Sequence, residues 1–247
     1  MSEPQKQPGL PTIDVNEYGG KKEGERQAMN RRLFMQLLVF QVPPPSGADD
    51  VARELAALLK SRGVSAVVYA DTMDPRGVGL LTWSEDPAHF VDKVRPLFAT
   101  DLLRNVVLRD DMAMIGRSYS TGHEPELAFS LLERPIKNVT HEAFGWHVWY
   151  PLRRTGAFAK LEGLDQSHIM REHATIGMAY GAQELAHDVR LACHGLDVKD
   201  NEFVIGLVGP ELHPLSHLVQ AMRKTRQTSE FIQQMGPFFV GRVLHRA

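Results

Sequence analysis

The chain has 247 residues, of which 43% are hydrophobic, and its 28 basic side chains nearly balance 30 acidic ones. This length and apolar content suit one large domain or two small domains with a hydrophobic core. The formal net charge of −2 lacks the basic excess typical of nucleic-acid-binding domains, and no apolar run reaches the roughly 18 residues that span a bilayer. The only cysteine, Cys193, has no partner for an internal disulfide, and the first residues show no export signal. We therefore expect a cytoplasmic protein with no nucleic-acid partner and no membrane span.

Residues 1–30 are polar and rich in Gly, Pro, Lys and Glu, and we expect a mobile N-terminal arm or a segment that wraps a neighbouring subunit. The hydrophobic pattern that follows predicts an N-terminal domain over residues 31–140. The expected elements are a strand, a helix, two strands and a second helix, over 32–40, 49–63, 64–69, 77–83 and a segment starting at 86. The second helix places four apolar residues on one stripe, namely Phe90, Val91, Val94 and Phe98.

The second half repeats this order and predicts a C-terminal domain over residues 141–247, after a linker at 131–142. The expected elements are a strand, a helix, two strands, a helix and a strand, over 145–152, 164–180, 189–194, 201–208, 215–223 and 238–244. Two successive β-α-β-β-α-β units are typical of a duplicated ferredoxin-like fold. We therefore predict an α+β protein in which tandem ferredoxin-like repeats form an antiparallel dimeric-type α/β barrel within one chain.

His173 lies on the apolar face of the predicted helix 164–180, because Ile169, His173 and Ile176 stand at positions i, i+4 and i+7. A histidine in this position is either a core residue bonded to a carbonyl or the ligand of a buried group. A haem would favour the second interpretation, since a proximal histidine needs a neutral nitrogen facing an apolar slot.

Strand alternation separates Arg190 from Val189 and Leu191 and places it on the face shared with Asp188 and Ala192. Arg190 is therefore either an exposed arginine at the rim of a strand or a cation over a cofactor pocket. In the second case its guanidinium can stabilise negative charge that develops on a bound oxygen.

Tyr150 closes an aromatic run and is followed, after Pro151 and Leu152, by the pair Arg153 and Arg154. Most such aromatic residues belong to a core, but a tyrosine beside two arginines also resembles the rim of a carboxylate-binding site. Arg223, at the end of the predicted helix 215–223, either serves the same purpose or is a solvated helix end.

Three other histidines and the single cysteine give weaker signals. His213 and His217 have the i, i+4 spacing of metal ligands, but the sequence offers no evident third ligand. His123 lies in a predicted loop with no local mechanism, and Cys193 lies in a predicted strand, where an inert core residue is expected.

Residues 145–243 resemble the chlorite dismutase family, and specifically its haem-synthesising branch, the coproheme decarboxylases. Met170-Arg-Glu-His-Ala-Thr-Ile-Gly resembles the family's Met-x-x-His-Gly-x-x-Gly helix, and Trp149-Tyr-Pro-Leu-Arg-Arg resembles the branch's Tyr-Pro-Met-Ser-Lys motif. Met235-Gly-Pro-Phe-Phe-Val-Gly resembles the terminal strand Phe-Gly-Pro-Phe-Tyr-Val-Gly of that branch.

The resemblance implies roles for single residues. His173 matches the proximal haem ligand and Tyr150 the radical-forming catalytic tyrosine. The remaining matches are porphyrin contacts: Leu152 replaces a methionine, Arg154 replaces a lysine that binds a propionate, Arg223 matches a propionate-binding arginine, and Thr228 replaces a serine of the same role.

Two positions point to different branches. Arg190 matches the distal residue, which is arginine in chlorite dismutases and glutamine in many decarboxylases. Gln227 replaces the glutamate that supports the proximal histidine in chlorite dismutases, and this loss favours the decarboxylase branch. The sequence leaves open whether Arg190 or His123 assists the deprotonation and cleavage of peroxide.

The implied reaction is the oxidative decarboxylation of two propionates of iron coproporphyrin III by hydrogen peroxide, which gives haem b. The iron porphyrin is then both substrate and cofactor. Chlorite dismutation at the same haem and non-catalytic haem binding are the alternatives. The family resemblance further implies a homo-oligomer, commonly a pentamer.

Overall fold

A computed structural model describes residues 10–247, and residues 1–9 lie outside the described part of the chain. The strands are β1 (Glu17–Lys22), β2 (Glu25–Met29), β3 (Phe34–Gln41), β4 (Ala66–Asp71), β5 (Gly77–Ser84), β6 (Val107–Leu108), β7 (Met114–Ser118), β8 (Trp146–Arg154), β9 (His187–Ala192), β10 (Phe203–Gly209), β11 (Ile232–Met235) and β12 (Phe239–Arg246). The α-helices are α1 (Ala48–Ser61), α2 (Arg134–Thr140), α3 (Gly156–Ala159), α4 (Gly163–Ala182) and α5 (Leu212–Met222). Short 3-10 and π segments span Phe90–Val94, Arg95–Ala99, Asp110–Met112, Phe129–Glu133 and Gln227–Phe231.

Eight strands pair in a closed antiparallel ring, in the order β10-β9-β7-β3-β5-β4-β12-β8, with β8 pairing back to β10. Each half of the chain contributes four consecutive neighbours in the order fourth-first-third-second, which is β7-β3-β5-β4 in one half and β12-β8-β10-β9 in the other. This is the strand order of a ferredoxin-like unit, and the pairs β4–β12 and β9–β7 join the two units into a barrel. The predicted fold class is confirmed.

The interior of the barrel is filled by the side chains that alternate inward along the strands. Tyr69, Trp149 and Phe239 are at most 1% exposed and belong to one cluster with the inward-facing aliphatic residues. A Cβ atom on Gly206 would lie 2.6 Å from the Trp149 ring, so this position needs glycine for close approach. The outward faces of the two half-sheets are therefore available for the helices.

Within the expected N-terminal arm at 1–30, residues 17–29 form the hairpin of β1 and β2. Glu23 and Gly24 form its turn with positive φ angles of 55° and 90°, and Gly20 donates a backbone hydrogen bond of 2.9 Å to Glu124. Period-two alternation is weak in these polar strands, which hid them from a pattern search. The first nine residues of the expected arm lie outside the described residues.

The expected helix from residue 86 is replaced by the π segment 90–94 and the 3-10 segment 95–99. Pro96 has no N–H to donate and its ring opposes the regular α-helical ladder. Phe90 and Val94 are buried as expected, but Val91 is 56% exposed and does not share their stripe.

The expected linker at 131–142 is largely helical instead. Pro135 lies in the first turn of α2, where its missing N–H disturbs no helical hydrogen bond. Leu131 and Val139 are fully buried against the barrel cluster. The strands of the first half-sheet precede this helix and those of the second half-sheet follow it. The domain boundary at 140 stays a prediction.

Candidate functional site

The outward face of the C-terminal half-sheet carries Tyr150 and Arg190 on neighbouring strands. Ile205 pairs with Tyr150 on one side and with Arg190 on the other, so the three residues form one row across β8, β10 and β9. Tyr150 and Ile205 pack in the cluster between this sheet and the helices α4 and α5. The row is therefore the floor beneath helix α4.

Helix α4 lies over this floor with few buried side chains. Of its 20 residues only Ile169 is buried, while Ile176 and Tyr180 are half-buried. The helix presents the expected apolar face, yet that face is incompletely covered by the sheet. The arrangement leaves the half-buried His173 between helix and floor.

His173 is oriented by Thr225, which follows α5. The Thr225 hydroxyl lies 2.8 Å from the carbonyl oxygen of Met222, to which it donates, and 3.5 Å from His173 Nδ1. In the tautomer that carries the proton on Nδ1, the Thr225 oxygen accepts from His173, because the Thr225 proton is given to Met222. The imidazole then keeps an unprotonated Nε2, which is the atom that a metal ion would need.

The charge environment keeps His173 neutral. Burial lowers the pKa of His173, and the positive charge of Arg190 lowers it further, against smaller opposing effects of Asp188 and Glu172. A neutral imidazole is the ligand form, so the site favours metal coordination over ionisation at neutral pH.

Arg190 is held by an ion pair within the site. Its Nε lies 3.0 Å from Asp188 Oδ2, and the other carboxylate oxygen of Asp188 accepts from Arg134 of helix α2. Burial by itself raises the pKa of Asp188, but Arg190 and Arg134 outweigh it and the pKa is lowered. The face predicted for Arg190 and Asp188 is confirmed by this contact.

Tyr150 is 6% exposed and its ring stacks on Phe238, with centroids 4.6 Å apart. Burial raises the pKa of Tyr150, Asp188 raises it further and Arg223 lowers it. Its phenol is therefore protonated at neutral pH and lies within the field of both charged residues.

Tyr119, just after β7, brings a second phenol to this region. Its ring centroid lies 5.3 Å from that of Phe203, and burial raises its pKa while Arg190 lowers it. The N-terminal half thus contributes to a site that is otherwise built by the C-terminal half. The sequence predictions did not include this residue.

Arg154 and Leu152 continue the outward face of β8 beyond Tyr150. Leu152 is buried in the cluster under the helices. Arg154 donates from Nε to Glu202 at 3.0 Å, and its guanidinium lies between the rings of Phe158 and Phe203, 4.5 Å and 4.7 Å from their centroids. Only its terminal amino groups remain to bind a carboxylate.

Arg223 and Thr228 flank Thr225. Arg223 is exposed and makes no side-chain hydrogen bond or ion pair within residues 10–247, so its guanidinium can bind an anion. Thr228 is half-buried, and its hydroxyl lies 3.3 Å from that of Thr225. Gln227 is 8% exposed, and its Oε1 is buried without a hydrogen-bond partner among the described residues.

His123 lies apart from these residues. It is exposed in the loop that packs against the N-terminal hairpin, and within the described chain no side-chain hydrogen bond links it to Arg190 or Tyr150. The role of His123 as a distal group stays a prediction. Cys193 is fully buried, and burial raises its pKa to about 12, as expected of an inert core thiol.

Three residues of the site, Thr225, Asp188 and Tyr119, were not predicted as functional. Thr225 lies in the polar run after α5, next to the selected Arg223, and nothing in the run distinguishes it. Asp188 was placed beside Arg190 by alternation, but its partner Arg134 lay in the expected linker. Tyr119 belongs to the other half-sheet, which only barrel closure brings close.

Residues 10–247 contain no group of three or more His, Cys, Asp or Glu side chains that could hold a metal ion. His213 and His217 are exposed, and Tyr180, not a metal-ligating third residue, contacts His217. None of the described helices has the length and apolarity to cross a bilayer.

Comparison with known proteins gives a family-model match over part of the chain and a fold shared with solved structures. Residues 130–244 match the family model described as chlorite dismutase, and no curated protein sequence matches the chain. The fold is similar to that of TA0507, a candidate chlorite dismutase, with TM-score 0.71, 15% identity and coverage of 87% of this chain and 96% of that one.

Two further structures share the fold. A novel heme-binding protein from Thermus thermophilus has TM-score 0.68 and 17% identity, over 88% of this chain and 92% of that one. A variant chlorite dismutase from Candidatus Nitrospira defluvii, in complex with cyanide, has TM-score 0.67 and 14% identity, over 86% of this chain and 91% of that one.

Proposed function

Because residues 130–244 match the chlorite dismutase family model, we propose that this chain is a member of that family and binds an iron porphyrin between helix α4 and the outward face of β8, β10 and β9. We further propose that it catalyses the peroxide-dependent decarboxylation of iron coproporphyrin III to haem b. Hydrogen peroxide as co-substrate, a homo-oligomeric assembly and a cytoplasmic location are parts of the same proposal.

The observation that carries the proposal is the position of His173 on the poorly buried helix α4, which packs on the sheet face that carries Tyr150 and Arg190. His173 offers an unprotonated Nε2 in the tautomer in which Thr225 accepts from its Nδ1. Helix α4 buries only Ile169 of its own residues, and Gln227 Oε1 is a buried acceptor without a partner among the described residues. These features fit a flat, largely apolar group that supplies its own equatorial ligands.

The porphyrin carboxylates would be met by arginines. Arg223 has a free guanidinium and Arg154 has free terminal amino groups, and arginine binds carboxylates through such paired donors. Leu152 and Thr228 line the same side. Because Arg154 is already paired with Glu202, we assign the stronger carboxylate contact to Arg223.

When bound, the iron porphyrin supplies the two-electron redox chemistry with peroxide. For each propionate the balance is one propionic acid side chain plus one hydrogen peroxide giving one vinyl group, one carbon dioxide and two waters. The two electrons and two hydrogens lost by the propionate thus reduce the peroxide.

Tyr150 is the residue that links oxidation to the propionate. Its buried phenol keeps its proton at neutral pH, so oxidation removes a hydrogen atom, and the resulting phenoxyl takes a hydrogen atom back from the propionate side chain. The stack on Phe238 fixes the plane of the ring. Arg190 lies on the same floor and can donate to the peroxide oxygen on which negative charge develops.

Reconstitution tests this proposal directly. The purified protein is loaded with iron coproporphyrin III, hydrogen peroxide is added, and the porphyrin is analysed by mass spectrometry. We expect two successive losses of carbon dioxide plus two hydrogens, with haem b as the final product. A porphyrin that stays intact through many equivalents of peroxide would exclude the decarboxylase activity.

Chlorite dismutation is the second candidate, and Arg190 is the observation in its favour. A fixed guanidinium over the porphyrin suits an oxyanion substrate. Chlorite added to the haem-loaded protein in an oxygen electrode distinguishes the two activities. A protein that binds haem but carries out neither reaction would be a non-catalytic haem-binding member of the family.

A further inference from the structure

Asp188 is held from two sides by helix α2. The side chain of Arg134 donates to one carboxylate oxygen of Asp188, and Asn138 Nδ2 donates to its backbone carbonyl at 2.9 Å. Arg134 and Asn138 stand at i and i+4, so both project from one face of the helix. Backbone and side chain of Asp188 are thereby fixed by a single rigid element.

The second carboxylate oxygen of Asp188 forms an ion pair with Arg190. The Nε of Arg190 lies 3.0 Å from Asp188 Oδ2, and both residues point to the same face of β9 because they are two positions apart. An ion pair through Nε restricts the position of the guanidinium and leaves its two terminal amino groups for another partner. Their side chains are about one-third exposed, 36% for Arg190 and 33% for Asp188.

The charges of the cluster are complementary. Two guanidiniums flank one carboxylate, and Asp188 stays ionised because its two arginines outweigh the effect of burial. A lone arginine at this position would be free to turn toward solvent, since its side chain has four rotatable bonds. The carboxylate removes that freedom without cancelling the net positive charge of the cluster.

We infer that Asp188, clamped by Arg134 and Asn138, is a positioning residue that holds the Arg190 guanidinium over the floor of the site, aimed at a small anionic ligand. The inference rests on the proposed function for the identity of that ligand, which is bound peroxide or another small oxyanion. Helix α2, which connects the two halves of the chain, thus also arranges the site.

The first experiment needs no haem. The apoprotein is treated with phenylglyoxal, and the labelling rate of each arginine is measured by peptide mass spectrometry. Asp188→Asn removes the charge while keeping the shape, and we expect Arg190 to be labelled about tenfold faster because the ion pair that holds its guanidinium is lost. Asp200→Asn, which changes an exposed carboxylate at a different edge, is the matched control and should leave the Arg190 rate unchanged.

Arg134→Gln provides a second route if Asp188→Asn fails to fold. It keeps the Asp188 carboxylate but releases one side of the clamp, and we expect an increase of about threefold in Arg190 labelling. Circular dichroism and an unchanged labelling rate of Arg223 confirm folding. An unchanged Arg190 rate in a folded variant would overturn the clamp.

The second experiment tests positioning in the haem-loaded protein through cyanide affinity. We expect Asp188→Asn to weaken cyanide binding about tenfold, and to have no further effect in an Arg190→Gln background, because Asp188 acts only through Arg190. An equal loss in both backgrounds, or unchanged affinity in Asp188→Asn, would overturn the positioning role. If the wild-type protein takes up no haem, the proposed function fails, while the labelling result still decides the clamp.

Discussion

Helices α1 and α4 hold equivalent places in the two repeats, between the first and second strands of each unit, and they differ in what they bury. Helix α1 has 14 residues and buries four side chains, Val51, Ala52, Leu55 and Leu59, against its sheet. Helix α4 has 20 residues and buries only Ile169. In the first repeat the helix completes a hydrophobic core. In the second repeat the helix is poorly buried and lies over the polar candidate site residues.

The sheets beneath the two helices show the same difference. Under α1 the outward strand residues are aliphatic, such as Val68 and Leu80, both fully buried. Under α4 the row contains Tyr150 and Arg190. A duplicated fold can keep one copy for stability and adapt the other for binding, because the common barrel interior stabilises both.

Substitution of Tyr150 by phenylalanine tests the chemistry of the α4 layer and has the largest expected effect. Tyr150→Phe keeps the stack on Phe238 and removes only the oxidisable hydroxyl, so folding and porphyrin binding should persist. We expect decarboxylation to fall by about three orders of magnitude or more, measured as haem b formed per peroxide. Turnover near that of the wild type would remove the tyrosyl mechanism.

Substitution of His173 by alanine tests whether α4 holds iron. His173→Ala should abolish the absorption spectrum of a histidine-ligated porphyrin, and added imidazole should restore it by filling the space of the lost ring. Thr225→Val is the companion variant, because it removes the acceptor of His173 Nδ1 and should weaken binding by roughly tenfold. An unchanged spectrum of His173→Ala would contradict the assignment.

Truncation of one apolar side chain in α1 and one in α4 compares how tightly the two helices pack on their sheets. Leu55 is fully buried, so Leu55→Ala should lower the free energy of unfolding by about 2–5 kcal/mol. Ile176 is only half-buried, and Ile176→Ala should cost about 1 kcal/mol in the apoprotein. Urea denaturation of both variants gives the two values, and equal losses would show that α4 is packed as tightly as α1.

The dependence of the free energy of unfolding on pH distinguishes His147, inside the barrel, from His173 in the candidate site. His147 is fully buried, with Nδ1 2.8 Å from the Tyr69 hydroxyl, and burial lowers its pKa to about 3. The unfolded state binds the proton of His147 more readily than the folded state does. The contribution of His147 to the free energy of unfolding is therefore complete above the pKa of the unfolded state, and it is lost as the pH falls toward the pKa of the folded state. Acidification from pH 7 to about pH 4 should therefore cost about 3 kcal/mol from this residue.

The matching variants are His147→Gln, which keeps a neutral acceptor for Tyr69, and His173→Ala. Unfolding free energies between those pH values should fall less steeply for His147→Gln than for the wild type. The half-buried His173 also has a lowered pKa, and we expect its removal to change the slope less. Parallel curves for the wild type and His147→Gln would contradict the prediction.

A further prediction concerns carboxylate binding at the edge of the α4 layer. Arg223→Gln should weaken iron coproporphyrin binding by about 1.5–3 kcal/mol relative to a porphyrin without propionates. Arg154→Gln should cost less, because Arg154 already pairs with Glu202. Arg226→Gln, which changes a nearby exposed arginine paired with Glu230, is the control. Equal losses for both porphyrins would mean that the arginines only support the fold.

Most strands and both long crossover helices followed from periodicity, because their faces are buried in an apolar core. Elements without that signal were missed or misassigned. Strand β7 has only five residues, the hairpin of β1 and β2 is polar, and α2 was expected to be a linker because of Pro135. These segments are held by contacts to distant residues, such as Gly20 to Glu124, which no local pattern contains.

The residues of the candidate site divide in the same way. His173, Tyr150 and Arg190 could be selected because helical or strand spacing set each one on a face with its neighbours, and the family motifs gave each a role. The hydroxyl of Thr225, the clamp of Arg134 and Asn138 on Asp188, and the phenol of Tyr119 belong to other segments. The placement of His123 against the hairpin likewise depends on a long-range contact.

The sequence by itself determined the repeated order of strands and helices, the faces of α4 and β9, and the residue types available for binding. Those properties depend on neighbours within one or two turns, where side-chain direction follows from helix or strand geometry. Tertiary structure decided that the two half-sheets close into a barrel and that α4 stays incompletely buried. It also decided which polar groups meet His173 and Arg190, because hydrogen bonds and ion pairs depend on distances between segments that only the folded chain brings together.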